Sequence, residues 1–208
     1  MSPPRLKLVL LGAGGSTRMR GGDKLLEPVE GAPLIRRQAL AMLAAGIGPV
    51  AVTLPPDLPQ RVAALEGLDV EHLTIPDAAQ GMSASLRAAA RWAEGAALLV
   101  APADMPELMA EDFRRLAAGY DGTRPLRATA ADGTPGHPVI FPPALLPRFA
   151  GLSGDDGARS ILKAHPPLLV ALPGVRAVTD LDTPEDWHAW RARRQGQSGG
   201  QPPHPRDI

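Results

Sequence analysis

Short apolar runs alternate with amphipathic segments through the first 120 residues of the chain. The runs "RLKLVLL" and "PVAVTLP" are mainly apolar and "AALLVAP" is apolar throughout, which is typical of strands buried on both faces. Between them, "APLIRRQALAMLAAGI" and "SASLRAAARWAEG" place apolar residues at helical spacing, with Ser83 at the expected start of the second helix. Strands that alternate with helices predict an α/β fold with a mainly parallel sheet covered on both faces.

The alternation of strands and helices becomes less regular after residue 120. The segment "PLRATAADGTPGHPVIF" predicts two strands joined by a turn at Asp132 and Gly133, and "PEDWHAWRARR" predicts a closing helix that begins at Pro184. The last residues are polar and rich in Pro and Gly. We therefore predict one domain over residues 1–195, in two parts of about 1–120 and 121–195, and a disordered tail over residues 196–208.

Composition narrows the class of protein. Apolar residues make up 44% of the 208 positions, and the 22 basic and 22 acidic side chains cancel. No global field therefore draws the chain to nucleic acid or to a membrane, and we expect neither as a partner. The absence of cysteine excludes disulfides and thiolate metal sites. With no stretch that resembles a signal peptide or membrane span, we expect a cytoplasmic enzyme or binding domain.

Flexible or polar residues stand where the predicted strands end. Gly12 to Gly15 follow the first strand, Thr53 and Pro76 lie at the ends of the next two, and Asp104 follows the fourth. Ligands of open parallel sheets bind beyond the carboxyl ends of the strands. We therefore expect these residues to share one rim of the sheet.

Residues 12–24, here called the glycine loop, combine bare backbone with positive charge. A dinucleotide-binding turn requires G-x-G-x-x-G, but Thr17 stands at the third Gly position, and "VTLPPD" lacks an acid directly after the second strand. A kinase-type phosphate loop requires Lys followed by Ser or Thr, whereas Leu25 follows Lys24.

A third interpretation is a loop that wraps a nucleoside triphosphate. Glycines let backbone N–H groups approach phosphates, while Arg18 offers a forked donor and Lys24 a compact charge. The alternative is a surface loop with solvated charges. Asp104 strengthens the triphosphate interpretation, because a carboxylate at this rim suits Mg²⁺. Asp104 could instead cap the following helix, and either Asp180 or Asp182 in "TDLDTPEDW" could complete a metal site while the other, or Thr183, caps the last helix.

The stretch "LLGAGGSTRMRGGDKLLEPVEGAPLIRR" resembles the nucleotidyltransferase family that includes molybdenum cofactor cytidylyltransferase and guanylyltransferase. The resemblance extends over "APADMP", "GMSASL", "GHPVIF" and "TDLDTPEDW", from Leu6 to Trp190. "GMSASL", "GHPVIF" and "SGDDGARSIL" are closer to the cytidylyl branch, whereas the spacing from Met19 to Lys24 is that of the guanylyl branch.

The resemblance implies a Rossmann-like, three-layer αβα nucleotidyltransferase fold. It also implies transfer of CMP from CTP to the phosphate of a molybdopterin-type cofactor, with residues 1–120 binding the nucleotide and residues 121–195 the acceptor. A molybdenum-dependent oxidoreductase or its chaperone would receive the product.

Roles for individual residues follow from the same resemblance. Arg18, Lys24 and Asp104 would be catalytic, Asp104 and Asp182 would hold Mg²⁺ or Mn²⁺, and His137 would contact the acceptor or simply tie its turn. The expected nucleotide-binding residues are Leu11, Gly12, Ala13, Gly14, Gly15, Ser16, Arg18, Lys24, Pro76, Gly81, Met82 and Ser83. Two other functions fit the same sequence: a sugar-phosphate nucleotidyltransferase on this fold, and a non-catalytic molybdopterin carrier.

Overall fold

The computed structural model of this chain describes residues 5–154 and 157–198. Its first part contains β1 (Leu6–Leu11), β2 (Pro28–Val29), β3 (Ala32–Pro33), α1 (Leu34–Ala45), β4 (Val50–Leu54), α2 (Pro59–Ala64), β5 (Glu71–Thr74), α3 (Met82–Ala93), β6 (Ala97–Pro102) and α4 (Ala110–Gly119). The second part contains β7 (Leu126–Thr129), β8 (Pro135–Phe141), α5 (Arg159–Ala164), β9 (Leu168–Ala171) and α6 (Pro184–Ser198). Short 3₁₀ helices lie at Thr17–Met19, Ala78–Gln80 and Pro143–Gly151.

Seven strands form one sheet in the order β5-β4-β1-β6-β8-β7-β9. Only β8 runs against its neighbours β6 and β7, and the other pairs in this sheet are parallel. β1 lies between β4 and β6, so Leu8, Val9 and Leu10 are fully buried. The continuous apolar run of β1 reflects this burial on both faces. The α/β prediction with a mainly parallel sheet is confirmed.

Helices cover both faces of the sheet. Leu8 and Leu10 pack in the core on one side with Ile35 of α1 and Phe113 of α4. Val9 points the other way, into the core that α3 and the 3₁₀ helix Pro143–Gly151 complete. Successive side chains of a strand point to opposite faces, so a single apolar strand serves both cores. The expected three-layer αβα architecture is present.

The last helix closes the structure at the glycine loop. Trp187 and Trp190 of α6 pack against Met19 and Leu34 in a separate apolar cluster. Before α6, the backbone N–H of Thr183 donates to the Asp186 carboxylate at 2.9 Å, and the N–H of Asp186 donates to the Thr183 hydroxyl at 3.1 Å. This reciprocal pair caps the helix, so the cap is Thr183, one of the two alternatives.

Three details differ from the predictions. Ser83 does not cap α3, because the helix begins at Met82 after Gly81, whose φ of +90° is in the left-handed region, and Ser83 lies inside the first turn. Asp104 caps no helix, because α4 begins at Ala110. Helix α6 continues to Ser198, three residues beyond the predicted end of the domain. Residues 199–208 of the predicted tail lie outside the described residues.

Candidate active site

The glycine loop leaves β1 through a tight contact with β4. The backbone N–H of Gly12 donates to the carbonyl oxygen of Thr53 and to its hydroxyl, both at 3.1 Å. A Cβ atom at Gly12 would lie 2.9 Å from that carbonyl oxygen and 3.0 Å from the Cδ1 atom of Ile35. Gly12 is therefore required for close packing at the start of the loop.

A buried arginine, Arg61, makes hydrogen bonds to the glycine loop. Arg61 of α2 is fully buried, and its Nη1 donates to the carbonyl oxygens of Gly12 at 2.6 Å and Gly14 at 2.8 Å. Nε and Nη2 donate to the two carboxylate oxygens of Asp23 at 2.7 and 2.8 Å, and Nη2 also reaches the Ser16 hydroxyl at 3.1 Å. The conformation of the loop is thus specified by one side chain.

Asp23 remains ionised in this contact. Burial alone would raise the pKa of Asp23, but hydrogen bonds from Arg61 and from the backbone N–H of Leu25 hold it below its usual value. The two opposite charges satisfy each other, and the buried guanidinium needs no water. Sequence reasoning missed Arg61, because an arginine in a short helix is ordinarily solvated. One signal was available: Arg61 stands four residues before Leu65 and so shares its apolar face.

Four predicted site residues converge in one ion cluster, which consists of Arg18, Lys24, Asp104 and Asp182. The Lys24 Nζ atom lies 2.6 Å from Oδ2 of Asp104 and 2.5 Å from Oδ1 of Asp182. Arg18 Nη1 lies 2.8 Å from the other carboxylate oxygen of Asp182. Burial opposes the charge on Lys24, yet the two carboxylates outweigh it and raise the Lys24 pKa. Lys24 is therefore a permanent cation at neutral pH.

The cluster joins distant parts of the chain at one rim. Asp104 follows β6, and its carbonyl oxygen accepts a hydrogen bond from the backbone N–H of Leu181 at 3.1 Å. This bond brings the segment before α6 to the sheet, and it is Asp182 that contacts Lys24. Asp180 lies nearby: burial and the charges of Asp104 and Asp182 raise its pKa.

Asp104 has one oxygen available for a ligand. Its Oδ1 atom is buried without a hydrogen-bond partner in the described part of the chain. An unpaired buried carboxylate oxygen is energetically unfavourable. Within residues 5–154 and 157–198, no group of three or more His, Asp or Glu side chains could enclose a metal ion. Any ion held here would therefore need oxygen atoms from a bound ligand as well.

A cleft of about 1260 Å³ opens beside the ion cluster. All four cluster residues and His137 line it, as do most of the residues expected to bind nucleotide: Leu11, Ala13, Gly14, Gly15, Ser16, Pro76, Gly81 and Met82. Gly12 and Ser83, which were also expected to bind nucleotide, are not among the residues that line it. Gly12 is occupied with β4, and Ser83 is fully buried, with its N–H donating to the carbonyl oxygen of Gly154 at 3.2 Å.

His137 lies near the start of β8 and also lines the cleft. Its backbone N–H donates to the carbonyl oxygen of Ala177 at 2.8 Å, which ties the strand as one interpretation of the sequence expected. Its half-buried side chain lines the cleft. Burial and the nearby Arg127 and Arg159 lower the pKa of His137 to about 4, so the imidazole is neutral at pH 7.

Comparison with known proteins identifies the class to which this fold and cleft belong. The chain is a member of the family described as MobA-like NTP transferase domain, which it matches over residues 8–168. The family and the fold are those of nucleotidyltransferases, and the family expected from the sequence motifs is confirmed. No helix among the described residues is long and apolar enough to cross a membrane.

Individual relatives span nearly the whole chain. Nicotine blue oxidoreductase of Paenarthrobacter nicotinovorans is 31% identical over 194 residues, which cover 86% of this chain and 93% of that protein. The crystal structure of Rv0371c from Mycobacterium tuberculosis H37Rv superposes with a TM-score of 0.79 at 24% identity, covering 91% and 98% of the two chains. A structure of CMP:2-keto-3-deoxy-manno-octonic acid synthetase complexed with CTP has a TM-score of 0.71 at 15% identity, covering 93% and 99%.

Proposed function

We propose that this protein transfers CMP from CTP to the phosphate of a molybdopterin-type cofactor and releases pyrophosphate. The observation that carries the proposal is the ion cluster beside the glycine loop, in a cleft large enough for two substrates. Family membership supports nucleotidyl transfer. The CTP complex of a structural neighbour and the cytidylyl-branch motifs "GMSASL" and "GHPVIF" support CTP as the donor.

Binding of the nucleotide follows from the shape of the loop. Arg61 fixes the carbonyl groups of the glycine loop, and the residues from Ala13 to Ser16 line the cleft. In this proposal their N–H groups and Arg18 bind the β- and γ-phosphates. Gly81 and Met82, at the start of α3, line the base and ribose.

The reaction is an in-line displacement at the α-phosphorus atom. An oxygen of the acceptor phosphate forms a bond to that atom, while the bond to the bridging oxygen of the β-phosphate breaks and pyrophosphate leaves with the electron pair. Lys24 stabilises the negative charge that accumulates on the equatorial oxygens, because its raised pKa keeps it protonated. No protein nucleophile is needed, since positioning and charge neutralisation carry such transfers.

The carboxylates of Asp104 and Asp182 fit a hard divalent cation. The unpaired Oδ1 atom of Asp104 offers a ligand oxygen, and Mg²⁺ typically takes one or two carboxylates together with substrate phosphates. A structure of Rv0371C is a complex with manganese, which supports use of a divalent ion by this protein. When bound, Mg²⁺ or Mn²⁺ would neutralise phosphate charge.

The test is pyrophosphate release with each of the four nucleoside triphosphates, with and without molybdopterin, in Mg²⁺ or in excess EDTA. We expect turnover only with CTP, molybdopterin and metal together. Asp104→Asn and Asp182→Asn should each lower turnover at least about a hundredfold, by analogy with loss of a transition-state charge contact, and Asp180→Asn should cost less. A preference for GTP or for sugar phosphates would redirect the assignment, and molybdopterin binding without pyrophosphate would indicate a carrier.

Redox catalysis is a second candidate, because a relative bears the name of an oxidoreductase. The path of the chain disfavours it: Pro55 and Pro56 follow β4, where a dinucleotide-binding fold places an acid for the ribose. Consumption of reduced nicotinamide in the absence of CTP would support this candidate. In the favoured proposal the link to redox chemistry is indirect, because a molybdenum-dependent oxidoreductase or its chaperone receives the product.

A further inference from the structure

Two arginines line the part of the cleft that β7, β8 and α5 form, here called the acceptor end. Arg127 belongs to β7 and Arg159 begins α5, and both border the same cavity as His137. Within residues 5–154 and 157–198, neither guanidinium forms an ion pair with a carboxylate. Two like charges thus share one part of a concave surface, and no carboxylate of the described residues pairs with either.

Electrostatic effects show that these groups are neighbours. Burial lowers the pKa of Arg127, and the charge of Arg159 lowers it further. Both arginines also act on His137, while the carboxylate of Asp104 acts on it in the opposite direction. The arginine pair therefore lines the same cleft as the ion cluster, where the proposed transfer would take place.

Arg127 is held in place by the backbone of β8. Its Nε donates to the carbonyl oxygen of Gly136 at 2.9 Å, and Nη2 makes a longer contact with that of Pro135 at 3.4 Å. Nη1 keeps both of its N–H groups without a partner in the described chain. Behind it, a Cβ atom at Gly136 would lie 1.8 Å from the carbonyl oxygen of Ala177, so the wall of the cleft is close-packed.

We propose that Arg127, His137 and Arg159 form an anion pocket that binds the phosphate monoester of the acceptor. The inference rests on the proposed function and adds how the second substrate is recognised. A phosphate dianion balances two guanidinium charges and accepts their paired N–H groups in bidentate geometry. The neutral imidazole adds a hydrogen-bonding group without a third positive charge. Acceptors with an uncharged hydroxyl at this position would leave the two arginines uncompensated.

Binding of inorganic phosphate tests the pocket without reference to the reaction. Titration calorimetry at constant ionic strength compares the wild type with Arg159→Gln, Arg127→Gln and the matched control Arg148→Gln, whose side chain is exposed outside the cleft. Arg18→Gln reports on phosphate bound at the glycine loop. We expect at least a tenfold loss of affinity in the two pocket variants alone. Equal affinity in the wild type and Arg159→Gln would overturn the pocket, as would a loss confined to Arg18→Gln.

Steady-state kinetics separate this inference from the proposed function. With molybdopterin as acceptor, Arg159→Gln should raise the acceptor KM at least tenfold and leave the KM for CTP unchanged. An unchanged acceptor KM would refute the pocket while the transfer reaction stands. Conversely, if phosphate binding depends on Arg159 but molybdopterin accepts no CMP, the proposed function fails and the anion pocket stands. Circular dichroism of Arg127→Gln checks its folding, and the exposed Arg159 gives a variant that removes no described hydrogen bond.

Discussion

The two ends of the cleft balance their charges differently. At the loop end, Arg18, Lys24 and Arg61 each contact a carboxylate at 2.8 Å or less. At the acceptor end, Arg127 and Arg159 have no such partner in the part of the chain that the structure describes. Paired charges fix a backbone before any ligand arrives, whereas unpaired charges are satisfied by the ligand itself. The loop end is preorganised, whereas no carboxylate of residues 5–154 and 157–198 balances the charges of Arg127 and Arg159.

Strand direction contributes to this difference. The loop end consists of segments that follow the parallel strands β1 and β6. Because β8 runs antiparallel to β6, its first residues rather than its last lie at the same rim, and they include His137. A single reversed strand thus places His137 at the same rim as the segments that follow β1 and β6.

The largest effect should come from removing the charge at the loop end. Arg61→Met leaves the Asp23 carboxylate and two loop carbonyl groups without their donor, so the free energy of unfolding should fall by about 3–5 kcal/mol. Urea denaturation measures this fall. Arg61→Lys should recover only part of it, because lysine cannot bridge Asp23 and the loop carbonyls with a planar fork. A fall in the free energy of unfolding of less than about 1 kcal/mol would mean that the glycine loop keeps its conformation without Arg61.

Lys24→Met tests the ion cluster. Turnover should fall by about a hundredfold or more, which is the scale of one lost transition-state charge contact. Lys163→Met is the matched control: Lys163 is exposed on α5, so its substitution should leave turnover unchanged. Turnover within a few-fold of wild type would remove Lys24 from the mechanism and leave it a purely structural ion pair.

His137 should make stability depend on pH. Its pKa is about 4 in the folded chain and near 6.5 when unfolded, so the unfolded state binds the proton first as pH falls. The contribution of His137 is therefore complete above pH 6.5 and declines toward pH 4. Between pH 7 and pH 5 the wild type should lose about 2 kcal/mol that His137→Gln does not lose. Parallel stability curves for the two proteins would show that folding does not lower the pKa of His137.

Removing a charge at the acceptor end should have the smallest effect on stability. Arg159→Gln relieves repulsion with Arg127, so the free energy of unfolding should stay constant or rise by less than about 1 kcal/mol. Thermal and urea unfolding would measure it beside Arg61→Met. A marked loss of stability in Arg159→Gln would show that Arg159 makes a stabilising contact in the folded chain. The two ends of the cleft would then not differ in whether their charges are paired.

Local patterns were sufficient to predict most of the parallel part of the fold. Apolar runs were enough to predict β1, β4 and β6, since a strand buried on both faces consists mainly of apolar residues. The position of Asp104 at the rim of the sheet was equally predictable, because Asp104 follows a buried strand and ligand sites lie beyond strand ends. Residue spacing puts Arg61 on the same helix face as Leu65, but it could not show what Arg61 contacts, because its partners lie 38 to 49 positions away and only tertiary packing brings them together.

The acceptor side was harder to predict for a related reason. The turn at Asp132 and Gly133 was clear, yet no local pattern states that β8 inserts between β6 and β7. That insertion decides which residues border the cleft, and Arg127 and Arg159 gave no sequence signal of their own. Gly12 shows a second effect: its place in a glycine-rich motif suggested ligand contact, and the structure adds close packing on Thr53 that also requires glycine.

The sequence separation within the ion cluster has a consequence for folding. Lys24 and Asp182 are 158 positions apart, while β1, β4, β5 and β6 are complete by residue 102. Contacts between such distant residues form late, because closing a long loop costs chain entropy before any contact is gained. A chain still emerging from the ribosome can assemble the parallel strands but lacks the carboxylate that completes the cluster. The cluster therefore completes only when nearly the whole chain has been synthesised and α6 has docked.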